Sequence, residues 1–175
     1  ARGYLMDTLW FSLALKESYS DSSGGFRMTL RLRPADLTVL NSALMPLASV
    51  KLLSCTLDTL YMSAAGREYL ALGEMKMFYK DLKIQFLKDG KENNRNFRTR
   101  ILSFLANSFV IRSNNSNRTG DVFFIRQRDR SAINYLIRIV FSGVASSTGV
   151  KSHKKEIRKY RKELKEKELP KFDSE

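Results

Sequence analysis

The most regular pattern in the chain is the alternation in FRMTLRLR, where Phe26, Met28, Leu30 and Leu32 are apolar and Arg27, Thr29, Arg31 and Arg33 are polar. A period of two places successive side chains on opposite faces of a strand, so the four apolar residues share one face. The alternation returns in DLKIQFL, with Leu82, Ile84 and Phe86 on one side and Asp81, Lys83 and Gln85 on the other. Between them, LDTLYMSA and LGEMKMFYK read as two further strands separated by the turn signal Ala65-Gly66-Arg67. These segments predict an antiparallel meander over 26–87 with one apolar face and one basic, wet face.

The rest of the chain extends that sheet or covers it. Leu5, Leu9, Phe11, Leu13 and Leu15 share a parity broken only by Asp7, which predicts one long strand. The run Ser18 to Gly25 is a loop by composition and makes a hairpin with the strand that follows. Leu37, Leu40, Leu44 and Leu47 predict a short helix, capped by Asp36 and broken near Pro46. After a turn at 88–91, Phe97, Ile101, Phe104, Leu105 and Phe109 fall at helical spacing, predicting a short helix or a helix-to-strand transition. Residues 113–120 form a loop whose two glycosylation sequons, at Asn114 and Asn117, matter only in a eukaryotic secretory host. A last strand is expected over 122–126.

The apolar stretch 132–144 falls short of the about 20 largely uncharged residues that cross a bilayer. It is expected to dock on the sheet or to lie in a membrane interface. From Lys151 a charged helical tail follows, weakly anchored, with Ile157, Tyr160 and Leu164 as its apolar handle. The fold class is therefore α+β: an antiparallel twisted β-sheet meander of about five to seven strands, with one apolar face, short covering helices and a basic C-terminal helical tail. The expected organisation is one β-rich domain over 1–149 and the tail over 150–175. The opening ARGYLMDT lacks a starting Met and suggests a piece of a longer protein.

Charge narrows the partners. The 31 Lys and Arg against 18 Asp and Glu give +13, which favours phospholipid head groups, nucleic acid or an acidic polysaccharide. The tail from Lys151 to Glu175 holds ten basic and six acidic residues, so it supplies 10 − 6 = +4 and the body carries the rest. Its membrane-surface candidates are Lys151, Lys154, Lys155, Arg158, Lys159, Arg161 and Lys162. Arg95, Arg98 and Arg100 interleave with Phe97, a weak pattern for single-stranded nucleic acid, because the aromatics fall at core spacing.

Candidate chemistry is sparse. Cys55 is the lone cysteine and reads as a core residue, so no intramolecular disulfide forms. His153 is the lone histidine; one His and one Cys do not make an ordinary zinc site, and no metal or cofactor is expected. A nucleophilic pair would have to use His153, which sits in a Lys-rich run expected to be solvated. Gly24-Gly25 lacks the later glycine and the lysine of a phosphate loop. Asp58, Glu68, Glu74 and Asp81 read as surface ion-pair residues. The expectation is a protein without a catalytic site.

Three segments carry a resemblance: Asp36-Leu37-Thr38, Leu57-Asp58-Thr59-Leu60, and the run from Gly73 to Lys83, GEMKMFYKDLK. Together with the ending DVFFIRQRDRSAINYLIRIVFSGVASSTG, the chain from about Gly25 to Gly149 resembles the C-terminal region of the AsmA-like, TamB-type family of bacterial envelope proteins, in its Bacteroides-like members. Ser54-Cys55 departs from it, standing where the family often has Gly, and no N-terminal membrane helix is present. The resemblance implies a long curved sheet whose apolar face carries phospholipid between membranes or scaffolds outer-membrane biogenesis, on the periplasmic side of the cell envelope. It makes Phe26, Met28, Leu30, Leu32, Leu82, Ile84 and Phe86 the lipid-facing candidates. The implied partners are phospholipid or an anionic membrane surface and an upstream part of the parent protein, with nucleic acid disfavoured. The alternative is a basic module that binds nucleic acid or another protein.

Overall fold

Two long strands form the spine of the molecule: β5 (Val50–Gly66) and β6 (Leu70–Phe86), each of 17 residues. At about 3.3 Å per residue such a strand reaches about 56 Å. The computed structural model describes residues 1–17, 25–48, 50–67, 69–87, 111–127 and 129–168. On one side of the spine lie β3 (Phe26–Leu32), β2 (Leu9–Glu17) and β1 (Arg2–Leu5); on the other lies β7 (Thr119–Ile125). All neighbours pair antiparallel in the order β1-β2-β3-β5-β6-β7. The two-residue β4 (Ala35–Asp36) pairs with β5 beyond the end of β3, completing seven strands among the described residues. The fold is the expected α+β architecture, an antiparallel twisted meander with short helices.

The spine changes parity along its length. In β6 the inward residues Ala71, Met75, Met77 and Tyr79 are odd-numbered, whereas Leu82 and Ile84 are even-numbered. Asp81, at φ 55°, is the extra residue that makes the switch. Its N–H donates to Asn114 Oδ1 at 2.9 Å, its carbonyl accepts from Ser54 Oγ, and the Leu82 N–H reaches the Ser113 carbonyl at 2.8 Å. Register shifts in the facing part of β5 let Leu52 and Leu57 stay on the same side. The two runs GEMKMFYK and DLKIQF, separate strands by pattern, are thus one strand with a bulge.

Two turns lie elsewhere than the pattern predicts. The segment Leu5 to Leu15 is a hairpin, not one strand: β1 ends at Leu5 and β2 starts at Leu9. Met6 and Asp7 adopt φ of 51° and 59°, the left-handed conformations of a tight hairpin turn. Leu5 pairs with Leu9 across a three-residue loop, which preserves parity, so the apolar parity carries through the turn with Asp7 as its one interruption. Ala65 and Gly66 still belong to β5, and the chain turns after them. Gly66 is a packing glycine: a Cβ there would lie 2.4 Å from the Phe26 ring that rests on it.

Helices cover the apolar face in two places. A 3-10 turn, Leu37–Leu40, begins where Asp36 Oδ1 accepts from the Thr38 N–H at 2.8 Å, the expected cap. It leads into α1 (Asn41–Ala48), which contains Pro46 and ends two residues after it. Asn41 bonds both the N–H and the carbonyl of Leu52, at 2.7 and 2.9 Å, giving β5 a partner where β3 no longer reaches. The second cover, α2 (Ala132–Ser147), is capped by Ser131 and lies on β6 and β7. The final helix, α3 (Lys154–Glu168), touches β7. The expected helix over 97–109 and the loops over 18–24 and 88–96 lie outside the described residues.

Candidate functional site

Register carries the inward face across the whole sheet. Phe26 faces Gly66, Met28 faces Ala64, Leu30 faces Met62 and Leu32 faces Leu60. Further across, Met62 faces Met75, Leu60 faces Met77 and Leu52 faces Ile84. Phe26, Met28, Leu30, Leu32, Leu82 and Ile84 therefore share one surface; Phe86 lies in β6 opposite Val50, its side chain outside the described set. Met28 and Leu82 are buried in the core, while Phe26, Leu30, Leu32 and Ile84 are half-buried at its margin. On the same face, β2 adds Leu13 opposite Leu30 and Leu15 opposite Met28. There the cover thins: Leu9 is fully buried, but Leu15 is 44 % exposed and Leu5 40 %.

The opposite face is basic. One row of cross-strand neighbours runs Arg2, Ser12, Arg31, Tyr61, Lys76 and Thr119 over six strands. Arg31 stacks over Tyr61 at 5.0 Å from the ring centre, and Arg33 over Trp10 at 4.3 Å. Asp58 pairs with Lys80 at 3.4 Å, one of the surface ion pairs expected of the strand carboxylates.

The free edge of β7 is closed by serines from α2, a feature that hydrophobic periodicity does not reveal. Ser142 Oγ accepts from the Phe123 N–H at 3.1 Å and donates to the Phe123 carbonyl at 2.8 Å. One turn later, Ser146 Oγ accepts from the Asp121 N–H at 2.9 Å. Unpaired edge groups otherwise invite pairing with another chain. The signal was present as two hydroxyls four residues apart in an apolar helix, with small Gly143 beside them.

His153 is not solvated: it is 3 % exposed, behind that edge, with Nε2 3.0 Å from Ser142 Oγ. Its ring packs near Phe123, with centroids 6.0 Å apart. A serine hydroxyl has one proton, and Ser142 donates it to Phe123. The His153 Nε2 is therefore the N–H donor, and Nδ1 is a buried acceptor with no partner among the described residues. Burial first, and then Lys151, hold its pKa below 6.5, opposed by Glu156, Asp121 and the Ser142 bond. The contact has the length of a Ser–His nucleophile pair, but the hydroxyl is spent on the backbone of β7 and both groups are buried. It is a clasp that fastens the start of α3 to the sheet, so the tail is anchored more firmly than its composition suggests.

Other titratable groups are structural. Burial pushes the Cys55 thiol up to about 11, with Asp36 adding to it, as befits the core residue expected. Tyr79 is fully buried, donates to the Arg112 carbonyl at 2.9 Å and is raised to about 12, chiefly by burial. Tyr135 of α2 donates to the Arg67 carbonyl at 3.2 Å and meets Phe26 edge-on at 5.9 Å. The tail candidates Lys151, Lys154, Lys155, Arg158, Lys159 and Lys162 are exposed, and the Arg161 side chain lies outside the described set. Among the described residues, no helix is long and apolar enough to cross a membrane, which says nothing of strands.

No family model, curated protein or solved structure matches the chain.

Proposed function

We propose that this chain is a non-enzymatic segment of a cell-envelope protein, part of a β-sheet groove whose apolar face holds phospholipid acyl chains. The observation that carries the reading is Leu15. It stands on the inward face opposite Met28, in line with Leu13 and Leu30, yet is 44 % exposed. The apolar surface thus runs past its own helical covers on the β1–β3 flank. A large aliphatic side chain gains about 1.5–3 kcal/mol on full burial, so such a flank favours an apolar occupant. The resemblance of about Gly25 to Gly149 to the AsmA-like pattern supports the same reading, and with it a position on the periplasmic side of a bacterial envelope. Nucleic acid is the alternative occupant, on the basic face. Against it, Arg31 and Arg33 already cover one side of Tyr61 and Trp10, which leaves less ring surface for bases.

Uptake of a fluorescent phospholipid by Leu15→Glu and by Lys16→Glu, adjacent residues on opposite faces, tests the reading. Leu15→Glu should lower uptake about tenfold, since a carboxylate there must be desolvated against acyl chains. Lys16→Glu should leave it within about twofold. Equal uptake by both variants would refute an acyl site on this face.

A further inference from the structure

The basic face of the sheet has a period of its own, running across the strands. Arg2, Ser12, Arg31, Tyr61, Lys76 and Thr119 are in direct register from β1 to β7, so their side chains share one face. Cation and hydroxyl alternate along the row: charges stand on β1, β3 and β6, hydroxyls on β2, β5 and β7. Arg2, Arg31, Lys76 and Thr119 are exposed, Tyr61 is 37 % exposed, and Ser12 is half-buried between its neighbours. Strands lie about 4.8 Å apart, so the cations recur about every 9.6 Å along the row. Stacking over Tyr61, at 5.0 Å, holds the Arg31 guanidinium in place. Among the described residues, none of the three cations has an ion-pair partner.

A row of this kind fits a linear partner in which an anionic unit alternates with a neutral, hydroxyl-bearing one. An acidic polysaccharide with one carboxylate per two sugars has that order. Its carboxylates would meet Arg2, Arg31 and Lys76, and its hydroxyls Ser12, Tyr61 and Thr119. Nucleic acid has the wrong charge density, with phosphates about 3.4 Å apart along each duplex strand. The next row along the strands ends in the carboxylates of Glu74 and Asp121, which would repel the surplus phosphates. A bilayer has the wrong shape. Adjacent strands rotate by about 20–25°, so β1 and β6, four steps apart, differ by roughly 80–100°. A plane resting on Arg2 therefore does not meet Lys76, whereas a flexible chain follows the row through the twist.

We propose that the outer face of the sheet binds an acidic polysaccharide laid across the strands along this row. The site lies on the opposite side of the sheet from the apolar face and does not depend on what that face holds. The test titrates the whole chain in a calorimeter, at about 0.1 M salt, with a hyaluronan octasaccharide, which bears one carboxylate per two sugars. The wild type should bind it about tenfold more tightly than an oligothymidylate of equal charge. Arg31→Gln and Lys76→Gln should each weaken binding about fivefold. Lys155→Gln, which removes an exposed cation of α3 away from the row, should change it less than about twofold. Melting temperature and uptake of fluorescent phospholipid should be unchanged in all three variants.

Four results would overturn the proposal. The first is no binding of the octasaccharide. The second is an equal loss in Lys155→Gln, which would make the attraction one of net charge alone. The third is tighter binding to the oligothymidylate, or to phosphatidylglycerol vesicles, than to the octasaccharide. The fourth is a large fall in melting temperature in both row variants, which would mean that another part of this chain already covers the row.

Discussion

Ser142→Ala is the substitution that separates a working clasp from an incidental contact. The hydroxyl serves three groups: the N–H and the carbonyl of Phe123 and the Nε2–H of His153, at 3.1, 2.8 and 3.0 Å. Removing it strands two donors and an acceptor in a region where Ser142 is 9 % and His153 3 % exposed. A buried polar group left without a partner costs about 1–3 kcal/mol. The edge of β7 lets water relieve part of this, so the expected loss is about 3 kcal/mol. For a chain of this size that is a fall of roughly 6–12 °C in melting temperature. Ser146→Ala strands only the Asp121 N–H and should lose about 1 kcal/mol. Exposed Ser152 is the control, where Ala should change stability by less than about 0.5 kcal/mol. Urea denaturation of the three variants gives the ranking, and amide exchange at Phe123 gives the location. A Ser142→Ala protein as stable as Ser152→Ala, with Phe123 still protected, would refute the clasp.

Other outcomes follow from the same geometry. Above pH 6.5 the His153 ring is neutral folded or unfolded; below it the unfolded chain takes a proton that the folded chain refuses. Stability should therefore fall on acidification from pH 6.5 until the depressed folded pKa is passed, by at most about 1.4 kcal/mol per pH unit. Urea midpoints that His153→Gln leaves equally steep in pH would contradict this. Cys55, buried and raised to about 11, should react with a disulfide reagent at pH 8 only at the rate of unfolding, and immediate modification of the native protein would count against it. Gly120→Ala places a Cβ 2.4 Å from Ser147 Oγ and 2.6 Å from the Ser147 backbone nitrogen, and should cost about 1–3 kcal/mol in a thermal melt. Gly3→Ala, whose nearest neighbour is a Phe11 ring atom at 3.3 Å, should be mild by comparison.

Alternation alone was enough to place the inward residues of β3 and the end of β6, because a one-residue slip would expose the whole set. It could not see the Met6-Asp7 turn, since Leu5 and Leu9 keep the same parity across a three-residue loop. Nor could it see that β6 continues through Asp81, where a bulge mimics a strand break. Asp36 was legible as a cap because a carboxylate before a leucine-rich segment has a local partner. His153 was not, because its burial depends on Ser142 and Phe123, 11 and 30 positions earlier, while its neighbours Lys151, Lys154 and Lys155 are all charged. The apolar face was legible as a face; its uneven cover depends on where α1 and α2 land, which periodicity does not encode.

In the proposed function, acyl chains occupy the uncovered flank of the sheet beside Leu13, Leu15 and Leu30. Native mass spectrometry of the whole chain, purified from bacterial cells without detergent, tests it most directly. The expected result is a protein peak carrying the mass of bound phospholipid, exchangeable with added lipid and lost in Leu15→Glu. Protein that is lipid-free as purified and takes up no added phospholipid would contradict it.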